Sequence, residues 1–274
     1  TLLSKPLINS CRRHLVHLEW EQVIPGRRCG RVRVRIAAGE SGVQLTWMDA
    51  KVGDHVVTPR IGKPVEVQAL WINALRIGGS LDSRFKTFAE QAAASFARRF
   101  WNPESGYLYD VVDADHVAGR VDARIRPNAL FAVGGLPDAV LSGDHARAVV
   151  DLAESQLVTP AGVRTLAPDD PQYRGLYKGG VWLRDTAYHQ GTAWPYLMGA
   201  FVEAWVRVRG HTADAKREAR DRFLAPLLST LDPEGSGHLP EIADGDWPHS
   251  PRGCPFQAWS LGEALRLDRE VLRL

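Results

Sequence analysis

Cysteine is scarce in this chain, and the three present, Cys11, Cys29 and Cys254, are odd in number and far apart. They cannot build a disulfide framework or a CxxC metal knuckle, so the expected setting is reducing and cytoplasmic. Long apolar runs are missing too: no stretch approaches the roughly 18 uninterrupted apolar residues of a membrane helix, and the start lacks a charged segment followed by an apolar one. The expectation is a soluble chain with no membrane partner. Charge of one sign is also absent. The 34 Lys and Arg nearly balance the 32 Asp and Glu, and a net charge of +2 is too small to argue for nucleic acid. With 274 residues, 45% of them hydrophobic, the chain is long enough to bury one large core, which excludes disorder.

What is abundant is tryptophan, at nine residues. Indole rings fill cores, and they also pack well on the flat C–H faces of sugars. Apolar residues recur at helical spacing in about eight stretches. These are Leu3 to Leu18, Pro64 to Ile77, Asp82 to Trp101, Arg126 to Val133, Asp144 to Leu157, Tyr188 to Val208, Thr212 to Leu231 and Gly253 to Leu267. Strand signals are few: Arg31 to Ile36 alternates with period two, and short pieces are expected near Tyr107 to Val112. The pattern predicts one mainly α domain. Its long connections, rich in Gly, Pro, Asp and aromatic residues, suit functional loops. Residues 1–36 are the least defined part.

Three of the connections carry candidate chemistry. The first, Gly42 to Glu66, runs into a helix holding Trp71 and Asn73, and it groups Trp47, Asp49, Asp54, Arg60 and Lys63. A carboxylate against an indole can keep a proton near neutral pH, although Asp49 and Asp54 also suit turns and caps. The second, Tyr173 to Pro195, supplies Tyr177, Trp182, Arg184, Asp185, Tyr188, His189, Gln190 and Trp194. Planar faces and paired hydrogen-bonding groups are what a vicinal diol requires; an isolated histidine such as His189 is also commonly structural. The third, Leu239 to Cys254, holds Glu241, Asp244, Asp246, Trp247, His249 and Arg252, with Gln257 and Trp259 beyond it. Asp244, Asp246, His249 and Cys254 raise a metal site as an alternative, but neither zinc nor calcium spacings are present and Arg252 adds a positive charge, so no metal is expected. There is no GxSxG elbow, phosphate loop or dinucleotide fingerprint, and no cofactor is expected. Carboxylates with aromatics on loops at one end of a helical scaffold fit glycoside hydrolysis.

At these segments the sequence resembles the glucosidase part of glycogen debranching enzymes, the amylo-α-1,6-glucosidase family. The resemblance rests on Thr46 to Asp54, Thr58 to Arg60 with Gly62 to Glu66, Ala187 to Thr192 with Trp194-Pro195, and Asp244 to Asp246 with Pro251 to Cys254. Arg126 to Asn128 and Arg164 to Ala167 agree. It implies an all-α fold, an (α/α)6 six-hairpin barrel with long loops on one rim and minor β structure. Six hairpins at two helices each exceed the about eight helices read here, so the barrel is expected to be incomplete, with its first helices upstream of Thr1. Residues 1–36 would belong to that barrel, and 37–274 would be its glucosidase region.

The resemblance further implies removal of single α-1,6-linked glucose stubs from glycogen or branched α-glucan oligosaccharides, with inversion. Carried over by position, Asp49 would be the general acid and Glu241 the general base. Trp47, Arg60, Trp71, Tyr188, His189, Gln190 and Trp194 would line the glucose pocket, supported by Arg252 and Gln257. Inversion requires carboxyl groups roughly 6.5 to 9.5 Å apart. His55, where the family pattern has Trp, and Trp247, where it has a smaller residue, depart from that pattern. Two other readings remain: a catalytically incomplete carbohydrate-binding remnant, and a six-hairpin hydrolase acting on another glycoside.

Overall fold

A computed structural model describes residues 35–231 and 237–274, together with the backbone of His17–Leu18. Helix α1 (Val65–Gly78) places Val65, Ala69, Ile72 and Leu75 on one buried stripe. A short turn leads to α2 (Ser83–Phe100), which starts where the Asp82 carboxylate accepts the Arg84 N–H and buries Ala89, Ala92, Phe96 and Phe100. The two pack as a hairpin. A 3-10 segment (Pro127–Ala132) and α3 (Gly143–Leu157) follow, and then the five-residue α4 (Val181–Asp185).

Helix α5 (Leu197–Val208) is buried on most sides, and its two charged residues, Glu203 and Arg207, pair with each other one turn apart. It packs against the 3-10 segment, α3, α6 (Ala213–Ala219) and α8 (Ala258–Arg266). Gly134 makes the first of these contacts possible, because a Cβ there would fall on the Ala200 carbonyl and the Ala204 amide. A π turn (Arg220–Leu224) separates α6 from α7 (Ala225–Ser229), directly before Pro226, which has no N–H to give. One hydrophobic core joins these elements, from Val65 to Leu272.

The strands are two or three residues long, yet five of them form one antiparallel sheet. Its order is Val158–Thr159, Gly162–Arg164, Ala193–Trp194, Ile242–Ala243, Pro251–Arg252, with Val163 opposite Trp194, Ala193 opposite Ala243 and Ile242 opposite Arg252. This sheet ties the second and third candidate loops together. A smaller hairpin pairs Lys51–Val52 with His55–Val56, just after Asp49.

The expected helices at Pro64, Asp82 and Asp144 begin within a residue of the observed ones. Arg126 to Val133 forms a 3-10 turn instead of an α-helix, and Thr212 to Leu231 carries the π turn. The helix expected from Tyr188 starts only at Leu197, because Ala193–Trp194 joins the sheet and Pro195 has no N–H. The one expected from Gly253 starts at Ala258, after Pro251–Arg252 has paired as a strand. The expected helix Leu3 to Leu18 lies outside the described residues, except that His17–Leu18 pairs as a strand with Ile36–Ala37. Of the alternating segment Arg31 to Ile36, residues 31–34 also lie outside them.

Candidate active site

An aromatic cluster forms the floor of the site. The Trp47 ring meets His189, Trp194 and Tyr196 edge to face at 5.3, 5.4 and 5.5 Å. His189 stacks on Trp194 at 5.3 Å, Tyr188 crosses Trp194 at 4.9 Å, and Trp259 stacks on Tyr196 at 4.4 Å. Sheet pairing at Ala193–Trp194 fixes the second loop here, while the Trp194 Nε1–H is shared by the Tyr188 carbonyl and the Thr192 hydroxyl.

Beneath the floor runs a buried polar chain. The Glu66 carboxylate in the first turn of α1 takes the Arg60 Nη1–H and, at 2.6 Å, the Nη2–H. Arg60 also gives Nε–H to Asp110 at 2.7 Å; Asp110 accepts the Asn128 amide at 2.7 Å; and Asn128 accepts the Trp47 indole N–H at 2.7 Å. Burial opposes the Arg60 charge, but Asp110 and Glu66 outweigh it and raise its pKa. Arg126 lies alongside, donating to the His189 and Thr165 carbonyls and to Gln190 Oε1. Burial lowers its pKa to about 10, which keeps it a cation at neutral pH.

Asp49 is exposed, between buried Met48 and Ala50. Both neighbours are held: the Thr58 hydroxyl donates to the Met48 carbonyl at 2.8 Å, and the Ala50 N–H donates to His189 Nδ1 at 3.4 Å. That contact assigns the proton of the neutral imidazole to Nε2, which has no hydrogen-bond partner among the described residues. Burial, with the Arg126 and Arg60 charges, lowers the His189 pKa to about 3.

Glu241 comes from the third loop, half-buried at the strand pair Ile242 and Arg252. Its Oε2 accepts the Cys254 N–H at 3.0 Å and its Oε1 accepts the Gln257 amide at 3.2 Å. Arg252 is turned to Asp244, which it pairs at 2.8 Å. Tyr188 lies against Glu241. Burial raises the pKa of its phenol strongly, a hydrogen bond and the charge of Glu241 add to this, and the charge of Asp49 contributes as well. Tyr177, 5.6 Å from Tyr188, has its pKa raised by burial and also feels Glu241.

The structure therefore brings Trp47, Tyr188, His189, Trp194, Glu241 and Gln257 together, with Asp49 on the loop that bonds His189 through the Ala50 N–H. Arg60 and Gln190 sit below them with their polar groups engaged by protein, and Arg252 stands to one side on Asp244. Trp71 is apart from this group, in α1 beside Ile72, Ala92, Phe96 and Phe100. The residues weighed as metal ligands do not converge: Asp244 is taken by Arg252 and the Tyr177 N–H, Asp246 by the Tyr173 hydroxyl, and the Cys254 thiol by the Phe256 carbonyl. Sequence reasoning missed Asp110 and Tyr196. Nothing in their spacing marks them, since each gains its place from a contact across the fold.

A family model described as amylo-alpha-1,6-glucosidase matches residues 31–266. The chain is 27% identical over 275 residues to the glycogen debranching enzyme of Saccharomyces cerevisiae, an alignment covering 78% of this chain and 18% of that protein. Among solved structures it is similar to a GH63 mannosylglycerate hydrolase from Thermus thermophilus, in complex with Tris and D-glycerate. The TM-score is 0.54 at 19% identity, over 77% of this chain and 46% of that one. The same hydrolase in complex with glucose gives a TM-score of 0.53 at 18% identity, over 77% and 48%.

Proposed function

The chain belongs to the amylo-alpha-1,6-glucosidase family, and from that premise we propose that it hydrolyses the α-1,6 bond of single glucose stubs on glycogen or a branched α-glucan oligosaccharide, with inversion. The observation that carries this reading is the meeting of the three loops at one aromatic cluster: the Ala50 N–H, next to Asp49, bonds His189, and the strand holding Trp194 pairs with the one that follows Glu241. In the reaction, Asp49 gives its proton to the glycosidic oxygen as the bond from C1 to that oxygen breaks. Glu241 takes a proton from a water that attacks C1 from the opposite face, and glucose leaves with inverted configuration. Asp49 is the exposed carboxylate and can reach a leaving group, whereas Glu241 is held by two N–H donors that fix its direction. The indole and phenol faces of Trp47, Trp194 and Tyr188 suit a glucose ring. In this reading Arg60 and Gln190 hold the floor and do not touch sugar, because their groups are already engaged.

The helical hairpins are read as part of an (α/α)6 barrel to which residues 1–36 contribute, in a cytoplasmic enzyme. The test is glucose release from a branched limit dextrin. Asp49→Asn and Glu241→Gln are each expected to lower it by roughly 10²- to 10⁴-fold with folding unchanged. Proton NMR of the first product is expected to show β-glucose. Near-normal release by either variant overturns the assignment of that residue, α-glucose as first product overturns inversion, and oligosaccharide binding without turnover by the wild type overturns hydrolysis.

A further inference from the structure

Helix α4 exposes three consecutive large apolar side chains, Val181 at 56%, Trp182 at 51% and Leu183 at 55%. Leaving an indole half in water forgoes the burial that normally holds it. The helix is nevertheless well placed. It packs on Lys51–Val52, the strand that begins two residues after Asp49, and the Trp182 ring lies 5.2 Å from His55 on the paired strand, tilted by 38°. Its other end reaches the base side of the site. Asp185 accepts from the Arg184 guanidinium at 3.1 Å and from the Tyr177 hydroxyl at 3.5 Å, and Tyr177 lies beside Tyr188.

The chemistry distinguishes the two sides. A general acid protonates the leaving oxygen, so the departing sugar chain lies on the acid's side of the scissile bond and the attacking water on the base's side. Trp182 packs by the strand pair that follows the acid, Lys51–Val52 with His55–Val56, and this is the ground for assigning it to the acid's side. We propose that Trp182, backed by His55, is the platform on which the departing glucan chain packs, so that it sets the preference for substrates with a sugar chain beyond the branch bond. An α-1,4-glucan offers repeated flat C–H faces, and an exposed indole is the side chain that matches them. The proposal rests on the hydrolytic reading above and adds to it the side from which the acceptor is held.

The test compares two substrates that share the glucosyl group but differ in what leaves. One is α-D-glucosyl fluoride, which has no departing sugar; the other is a maltooligosaccharide carrying one α-1,6 glucose. Trp182→Ala is expected to lower kcat/KM on the branched substrate roughly tenfold more than on the fluoride, through KM, with Trp182→Phe recovering most of the loss. Equal losses on both substrates, or no loss on either, overturn the platform. If the wild type cleaves neither substrate, the hydrolytic reading fails. The platform is then judged by maltoheptaose titration followed by calorimetry: weaker binding by Trp182→Ala supports it, and unchanged binding overturns it.

Discussion

His189 carries an odd combination: it is fully buried, neutral, and bonded through Nδ1 to the backbone that follows Asp49. Its pKa is lowered from 6.5 to about 3, so between these values the unfolded chain binds a proton that the folded chain does not. Stability must therefore rise with pH across that window, be complete above about 6.5, and fall as pH drops toward 3, with a span of a few kcal/mol. His189→Gln keeps an acceptor for the Ala50 N–H and does not titrate. Urea melts at pH 4.5 and 7 are expected to show a smaller difference for this variant than for the wild type. Asp110 is the second residue of consequence, since it takes both Arg60 and Asn128. Asp110→Ala leaves Arg60 with Glu66 alone and frees the Asn128 amide, a loss on the order of 3 kcal/mol that equilibrium urea unfolding measures.

Among the elements, the short strands matter more than their length suggests. They bind the second and third loops into one unit, and the closest crossing is at Gly245, where a Cβ would fall on the Gly191 carbonyl. Backbone cannot move aside as a flexible side chain can. Gly245→Ala is expected to cost about 1 to 3 kcal/mol by thermal melting, and to lower glucose release by roughly a hundredfold because Glu241 shifts relative to Asp49. Activity lost in proportion to unfolded protein alone contradicts this. The helices were the legible elements: α1, α2 and α3 each bury a stripe at helical spacing, and Asp82 marks a start. The sheet was not legible, since a two-residue strand has no period to read, and the tract from Tyr188 looks helical until pairing at Ala193–Trp194 is known.

Taken whole, the described residues share one core from Val65 to Leu272, with α5 at its centre. Among them the only other buried apolar cluster is a small one of three alanines, Ala161, Ala193 and Ala243, at the sheet. Unfolding is expected to be a single transition, with tryptophan fluorescence and far-ultraviolet circular dichroism giving coincident melts. Separate transitions would mean that the loops fold as a unit of their own. The sequence by itself determined the family and pointed to glycoside hydrolysis, because carboxylates, indoles and phenols concentrate in three connections whose order along the chain is characteristic. It also determined the main helices, through local periodicity. Tertiary structure alone decided which candidates meet. Trp71, read as equal to Trp47, lies in α1 against α2, while Arg60 and Gln190 lie below the floor, Arg60 joined there by Asp110, and Tyr196 enters the floor itself. The reason is that spacing along one element reports which face a residue shares, whereas the site is built by contacts between elements distant in the chain, fixed by sheet register and core packing.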